Sequence, residues 1–361
     1  MRCIFIYNPV SGRGKVLRHL NYIEETLKKK YDEVVMYRSK SSDDIKKVAY
    51  ESCKEFDSII FSGGDGTFND IVCGVSKSNI RPPLGYIPLG TGNDNSRNLK
   101  IPRNVRGALK VILDAKTIYH DIGKINDSYF VYVVALGACT GTPYTTKQKA
   151  KKILGRLAYA QDGINEFFSP NVKKVRIHAN GSTIDTTVPL ILIMNTVSVG
   201  GMPFNRYGHL NDGKFDVVLI NNGPGHGRLN MIGFFILGLL GFRRGKRHSI
   251  SIQSDKFVIE VDNDSTWCVD GEKGPSGPIT IENLHNHIRI FAPKRKAKTQ
   301  KKTHGASGVA VRLLGFPRPA ADFAATFKLY PAHSWWGKKF ITENWSLPGL
   351  INAGMLKPLL K

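Results

Sequence analysis

Four apolar runs in the first 90 residues each stop at a turn of small and polar residues, and each turn opens into a helical pattern. CIFIYN (3–8) leads into Pro9-Val10-Ser11-Gly12, and EVVMY (33–37) into RSKSSDD. SIIFSGG (58–64) leads into Asp65-Gly66-Thr67, and LGYIPLG (84–90) into Thr91-Gly92-Asn93-Asp94. Helical patterns follow around Val16–Leu27, through Val48 and Ala49, over FNDIVCGV (68–75) and over 104–116. Strands that are apolar almost throughout and alternate with helices require a parallel sheet covered on both faces. Ligands of such sheets bind beyond the carboxyl ends of the strands. The turns therefore share one edge, and the first 120 residues read as an α/β domain.

From about residue 121 the period changes to two. KINDSYFVYVVALGA, VKKVRIHANGSTIDTTVPLILIMNT, KFDVVLI, KFVIEVDNDSTWCVDGE and PITIENLHNHIRIFAP alternate or are β-branched, with turn signals between them. ANGS at 179–182 suits a hairpin turn. Only 150–168 and 227–242 look helical in this stretch. The expected organisation is residues 1–122 as a parallel-sheet α/β domain completed by 284–292, and 123–283 as a mostly antiparallel, β-sandwich-like domain. Residues 293–361 form a basic extension. It carries 13 Lys/Arg against 2 Asp/Glu, while three of the four tryptophans, Trp335, Trp336 and Trp345, also lie in it. A poorly ordered tail and an interfacial anchor both fit that composition.

The formal charge of +23 favours anionic partners, whether nucleic acid, phosphorylated ligand or acidic membrane. Cys3, Cys53, Cys73, Cys139 and Cys268 show no CxxC pair and no metal-ligand spacing, as expected of reduced thiols in a cytoplasmic protein. The longest apolar stretch, 229–242, is 14 residues, against about 20 for a spanning helix. It precedes Arg243, Arg244, Lys246 and Arg247, so it suits either an interfacial helix or a buried one with a solvated basic end.

Gly63-Gly64-Asp65-Gly66-Thr67 lies between a strand and a helix, where glycines let backbone N–H groups approach a ligand and the helix start favours anions. A single glycine turn is equally a plain structural turn. The Asn8–Gly12 turn, Ser39 and Gly90–Asp94 repeat the arrangement at the same edge and assemble a nucleotide site in pieces. A Walker A loop is excluded, because Pro9 and Val16 occupy positions where it needs glycine and Ser/Thr. The dinucleotide fingerprint is absent from the first turn as well.

SGGDGTFNDIV with IPLGTGNDNSRNLKIP resembles the catalytic domain of the diacylglycerol kinase superfamily, above all its soluble bacterial lipid kinases. The resemblance extends through YNPVSGRGK, DIGKINDSYFVYVVALGA, KKILGRLAYAQDGI, LNDGKFDVV and VDGE, and covers roughly residues 1–292. It implies an ATP site contacted by Asn8, Pro9, Ser11, Gly12, Ser39, Gly63, Gly64, Asp65, Gly66, Thr67, Asn69, Gly90 and Thr91. It also implies that Glu272 is the general base, and that Asp212 with carbonyls of His209 and Lys214 holds a structural magnesium ion. VDGE and LNDG also suit ordinary turns. This sequence departs from the pattern at Asn95, where relatives commonly carry an aromatic, and at ACTGTPYTT (138–146), where many carry an acidic segment.

Phosphoryl transfer by this site calls for ATP and Mg²⁺, with Asp65 and Asp94 as the carboxylates placed to position the metal through water. The acceptor by resemblance is diacylglycerol; sphingoid bases, ceramide, monoacylglycerol and phosphatidylglycerol stay open. Expected partners are a lipid substrate at an anionic membrane surface, at the inner face of the membrane, and, as one option, a second copy in a homodimer. Nucleic acid is not expected. The rivals are an NAD kinase-type enzyme, which shares the GGDG turn, and a catalytically idle lipid-binding regulator.

Overall fold

The computed structural model describes residues 1–137, 172–201, 203–205, 208–220, 249–293 and 328–331. The expected helices at 150–168 and 227–242, the 138–146 segment and nearly all of the basic extension lie outside them. The chain divides into two compact units, 1–133 with 194–214 and 282–302, and 134–193 with 215–281 and 303–361. Two segments with a strand-like period, 123–133 and 194–214, thus join the first unit rather than the second.

The first unit follows the alternation read in the sequence. Its elements are β1 (Arg2–Tyr7), a 3₁₀ stretch (Ser11–His19), α1 (Leu20–Leu27), β2 (Glu33–Arg38), α2 (Ser42–Ser52), β3 (Ser58–Gly63), α3 (Asp65–Ser76), β4 (Leu84–Pro88), α4 (Asp94–Leu99), α5 (Val105–Leu113), β5 (Thr117–Ile125) and β6 (Ser128–Phe130). Strands β4, β3, β1 and β2 run side by side and parallel, with Phe5 opposite Ile60 and Met36, and Phe61 opposite Tyr86. Ser41 starts α2 by accepting from Asp44 N, and Asn104 starts α5 by accepting from Gly107 N, as helix caps do. Beneath the carboxyl edge Phe61, Phe68 and Tyr86 meet with ring centroids 5.0–5.4 Å apart, all three buried. Such a cluster adds about 0.5–1.5 kcal/mol per pair beyond area burial and gives the turns above it a rigid floor.

The second unit is built from β7 (Val133–Gly137), β8 (Lys173–Ala179), β9 (Ser182–Val188), β10 (Leu190–Met194), β11 (Phe215–Ile220), β12 (Ser249–Ser254), β13 (Lys256–Glu260), β14 (Thr266–Val269) and β15 (Glu272–Ser276). Val133 and Met194, at the ends of β7 and β10, cluster with the first unit. One sheet has the order β12-β11-β10-β7-β14-β15, in which β11–β12, β7–β14 and β14–β15 pair antiparallel. Strands β8 and β9 form the hairpin expected at ANGS, with Asn180 and Gly181 at φ 50° and 72°. Two successive left-handed residues give the turn that matches strand twist. Trp267 is fully buried and donates from Nε1 to Gly277 O at 2.9 Å.

Strand β16 (Ile279–Phe291) contributes its first three residues to the second unit and the rest to the first, where Ile290 pairs with Leu84 of β4. Strand β17 (Lys328–Pro331), within the basic extension, pairs antiparallel with β9. Among the described residues, no helix is long and apolar enough to cross a membrane. Cys3, Cys53, Cys73 and Cys268 are buried and outside any disulfide among the described residues, and burial pushes the Cys3 thiol up to about 12.

Candidate active site

Three of the turns after the first unit's parallel strands are in backbone contact. Gly12 adopts φ +58°, and a Cβ there would lie 1.7 Å from Leu89 O, so only glycine fits. A Cβ on Gly90 would lie 2.3 Å from Gly64 Cα. The turns after β1, β3 and β4 therefore close on one another backbone to backbone, with Gly12 against Leu89 and Gly90 against Gly64. Gly66 is different: a Cβ there meets nothing within 4 Å, although it sits in the first turn of α3.

Backbone hydrogen bonds lock this contact. Leu89 N and Gly90 N both donate to Gly63 O, at 3.1 and 3.0 Å. Asn8 N donates to Ser62 O, and Val10 N donates to Asn8 Oδ1 at 3.0 Å, closing the first turn. Tyr86 Oη lies 3.3 Å from Gly63 O and 3.2 Å from Asn93 Oδ1. Burial, with the Asp65 and Asp94 charges assisting, holds the Tyr86 hydroxyl well above its usual range, so it remains a donor. Asn93, left-handed at φ 54°, donates from Nδ2 to Gly90 O at 2.7 Å. Arg103 Nη2 donates to Gly92 O at 2.8 Å and lies 3.3 Å from Thr91 O.

The expected site residues take distinct places. Thr67 is buried at the start of α3, whereas Thr91 is exposed on the turn after β4. Ser39 is buried, and both its N–H and its hydroxyl donate to Tyr7 O. It braces the first turn from beneath. Asn69 lies one turn into α3 and accepts from Cys73 Sγ. Asp65 is half-buried, and its Oδ1 accepts from Asn95 N at 3.0 Å and Asn95 Nδ2 at 3.2 Å. Asp94 is 7% exposed; Oδ1 accepts from Arg97 Nη1 at 2.6 Å and Oδ2 from Gly200 N at 2.9 Å. Ser198 Oγ donates to Asn98 Oδ1 at 2.8 Å, so α4 is stitched to the 195–201 segment of the same unit.

Asp212 is exposed on a turn with Gly213 at φ 73°, and its Oδ1 accepts from Lys214 N. The turn is pinned by Asp121, which is fully buried. Its Oδ2 accepts from Gly213 N at 2.7 Å, and its Oδ1 accepts from Asn286 N at 2.6 Å and faces His285 Nδ1 at 3.0 Å. Asp121 N also donates to Leu210 O. Among the described residues, no group of three His, Cys, Asp or Glu side chains gathers as a metal cage. One carboxylate with the His209 and Lys214 carbonyls is nonetheless an all-oxygen set, the class that Mg²⁺ takes alongside water. Asp121, Arg103, Arg97 and Asn93 carry no expectation from motif reading: Asp121 and Arg103 meet backbone atoms or residues distant in sequence, whereas Arg97 and Asn93 bond to near neighbours, Asp94 for Arg97 and Gly90 and Tyr86 for Asn93.

Glu272 belongs to the second unit. It is the exposed first residue of β15, directly after a two-residue turn in which Asp270 and Gly271 have φ 51° and 88°. The Val269–Glu272 pair closes that hairpin. VDGE is thus a tight turn that fixes where its glutamate begins, with the fully buried Trp267 two residues before the turn's first strand ends.

The diacylglycerol kinase catalytic domain family matches residues 2–125. A diacylglycerol kinase of Bacillus subtilis (strain 168) is 32% identical over 305 residues, covering 82% of this chain and 98% of its own. One from Staphylococcus epidermidis is 33% identical over 299 residues, covering 81% of this chain and 92% of its own. A crystal structure of a diacylglycerol kinase from Bacillus anthracis superposes with TM-score 0.70 over 81% of this chain and 97% of that one, at 24% identity, a likeness of fold. A glycine-walled parallel-sheet unit, a β-rich second unit and these relatives define a lipid kinase. The chain belongs to the diacylglycerol kinase family.

Proposed function

We propose that the chain transfers the γ-phosphoryl group of ATP to the hydroxyl of diacylglycerol, giving phosphatidic acid. The observation that carries this reading is the backbone contact of the turns after β1, β3 and β4, with Gly66 open above the start of α3. A phosphate chain needs many N–H donors and little side-chain bulk. Asn8, Pro9, Ser11 and Gly12, then Gly63 to Thr67 and Asn69, then Gly90 and Thr91 line the nucleotide, while Ser39 supports the first turn.

Asp65 is the carboxylate that would hold Mg²⁺ with the nucleotide, and the ion would supply charge neutralisation at the phosphate oxygens. Asp94, with both oxygens engaged by Arg97 and Gly200, serves by fixing α4 and the loop above it. Asp212, with the His209 and Lys214 carbonyls, would hold a second, structural ion. Glu272 takes the proton of the acceptor hydroxyl. The hydroxyl oxygen then bonds to the γ-phosphorus as the bridge to the β-phosphate breaks and ADP leaves.

A lipid acceptor brings the enzyme to a membrane, and its charge of +23 suits the anionic inner face as a peripheral protein. The test is a screen of diacylglycerol, monoacylglycerol, ceramide, sphingosine and phosphatidylglycerol in mixed micelles with labelled ATP, with NAD as the water-soluble control. Diacylglycerol should be preferred, and Glu272→Gln should lower kcat roughly 10²–10⁴-fold with ATP affinity intact. Label appearing only in NAD, or equal loss of ATP affinity in Glu272→Gln, would overturn the respective assignment.

A further inference from the structure

The half-buried Asp65 carboxylate is held from one side only. Asn95 supplies two donors, its backbone N–H at 3.0 Å and its Nδ2 at 3.2 Å, and both reach the same oxygen, Oδ1. Asn95 is 2% exposed, so its amide has little recourse to water if that bond is lost. The other oxygen, Oδ2, faces the turn after β4: a Cβ on Gly92 would lie 2.9 Å from it. Oδ2 therefore lies against the Gly92 backbone. A carboxylate has two chemically equal oxygens, and free rotation about its last torsion would exchange them. With two donors on Oδ1 and, among the described residues, no hydrogen bond to Oδ2, the carboxylate is oriented from the Asn95 side.

We infer that Asn95 is a positioning residue: its side-chain amide orients Asp65 so that Oδ2 is presented to the hydrated metal of the bound nucleotide. The inference rests on the ATP-site reading above. It assigns a function to a side chain that touches neither nucleotide nor metal and acts through Asp65 alone. Asn95→Leu keeps the branched shape and the backbone donor and replaces the side-chain amide, Nδ2 included, with methyl groups. Asn95→Ala is the smaller companion should leucine disturb the fold.

The discriminating experiment titrates the full-length protein with ATP calorimetrically, once with Mg²⁺ and once with a chelator, and records the thermal midpoint of each variant. Wild type should bind both forms, the magnesium form more tightly. Either variant should lose about tenfold in affinity for MgATP, which corresponds to a single positioned interaction, and stay within twofold for metal-free ATP. Unchanged MgATP affinity in both variants overturns the positioning role. So does an equal loss for both nucleotide forms, since that would make Asn95 a packing residue of the turn. Absence of ATP binding by wild type is a separate outcome that overturns the nucleotide reading and this inference with it.

Discussion

The two ends of the first unit's parallel sheet use the same strands and opposite chemistry. At the amino end, the chain terminus pairs with Asp32, Arg2 forks onto Glu33 at 2.7 and 3.0 Å, and Arg2 N donates to Asp57. Lys30, its charge disfavoured by burial, donates to Ile112 O and lies over the Phe291 ring. Strand ends there are closed by long charged side chains. At the carboxyl end, the turns after β1, β3 and β4 carry glycines whose backbones touch their neighbours, and the side chains of Ser39, Tyr86, Asn93 and Arg103 bond to main-chain oxygens. One end spends side chains on joining strands; the other spends them on holding bare backbone in place. That difference marks which end is built to receive a ligand.

The comparison is broken most severely at Gly90. Gly90→Ala puts a methyl 2.3 Å from Gly64 Cα, so the turns after β3 and β4 must separate. Overpacking of this kind costs about 1–3 kcal/mol, and ATP affinity measured by calorimetry should fall below detection. A much smaller effect is expected from acid at the other end. His287 lies by Arg81, ahead of the start of β4, and burial lowers its pKa from 6.5 to about 4. Its unfolded form binds a proton more readily than its folded form. The stability it supports is therefore present above pH 6.5 and lost as pH falls towards 4. The thermal midpoint should decline across that window, and His287→Phe should flatten the decline. The smallest change is expected from Arg2→Ala, whose exposed ion pair with Glu33 is screened by water. It should lower the thermal midpoint slightly and leave MgATP affinity unchanged.

Much of this architecture was legible in the residues. Four apolar runs cut by turns of small and polar residues located β1, β2, β3 and β4 to within two residues, because a buried parallel strand tolerates little else. ANGS specified its own hairpin, since Asn and Gly accept left-handed backbone. The assignment of 194–214 to the first unit was not legible: alternation signals a strand or an irregular polar segment without saying which core it serves. Asp121 was equally hidden. It lies inside an ordinary β-strand pattern, and the donors that define it, Gly213 and Asn286, are 92 and 165 residues away. Ser39 shows the converse. Its place at the edge was readable, but not that its hydroxyl turns down onto Tyr7 O. The departure at Asn95 was visible as an unusual residue, and only its distance to Asp65 gives it a role.

The central claim, that bare backbone at the start of α3 receives the nucleotide, is tested most directly by Gly66→Ala. The protein itself has no steric need of glycine there, because an added Cβ meets nothing within 4 Å. Alanine in a helical turn is favoured over glycine by about 0.8–1 kcal/mol, so the variant should fold at least as stably as wild type. Titrated calorimetrically with MgATP, it should nonetheless bind at least tenfold more weakly, the methyl occupying the approach of the phosphates. MgATP affinity equal to that of wild type, in a variant of equal or higher thermal midpoint, would contradict the account.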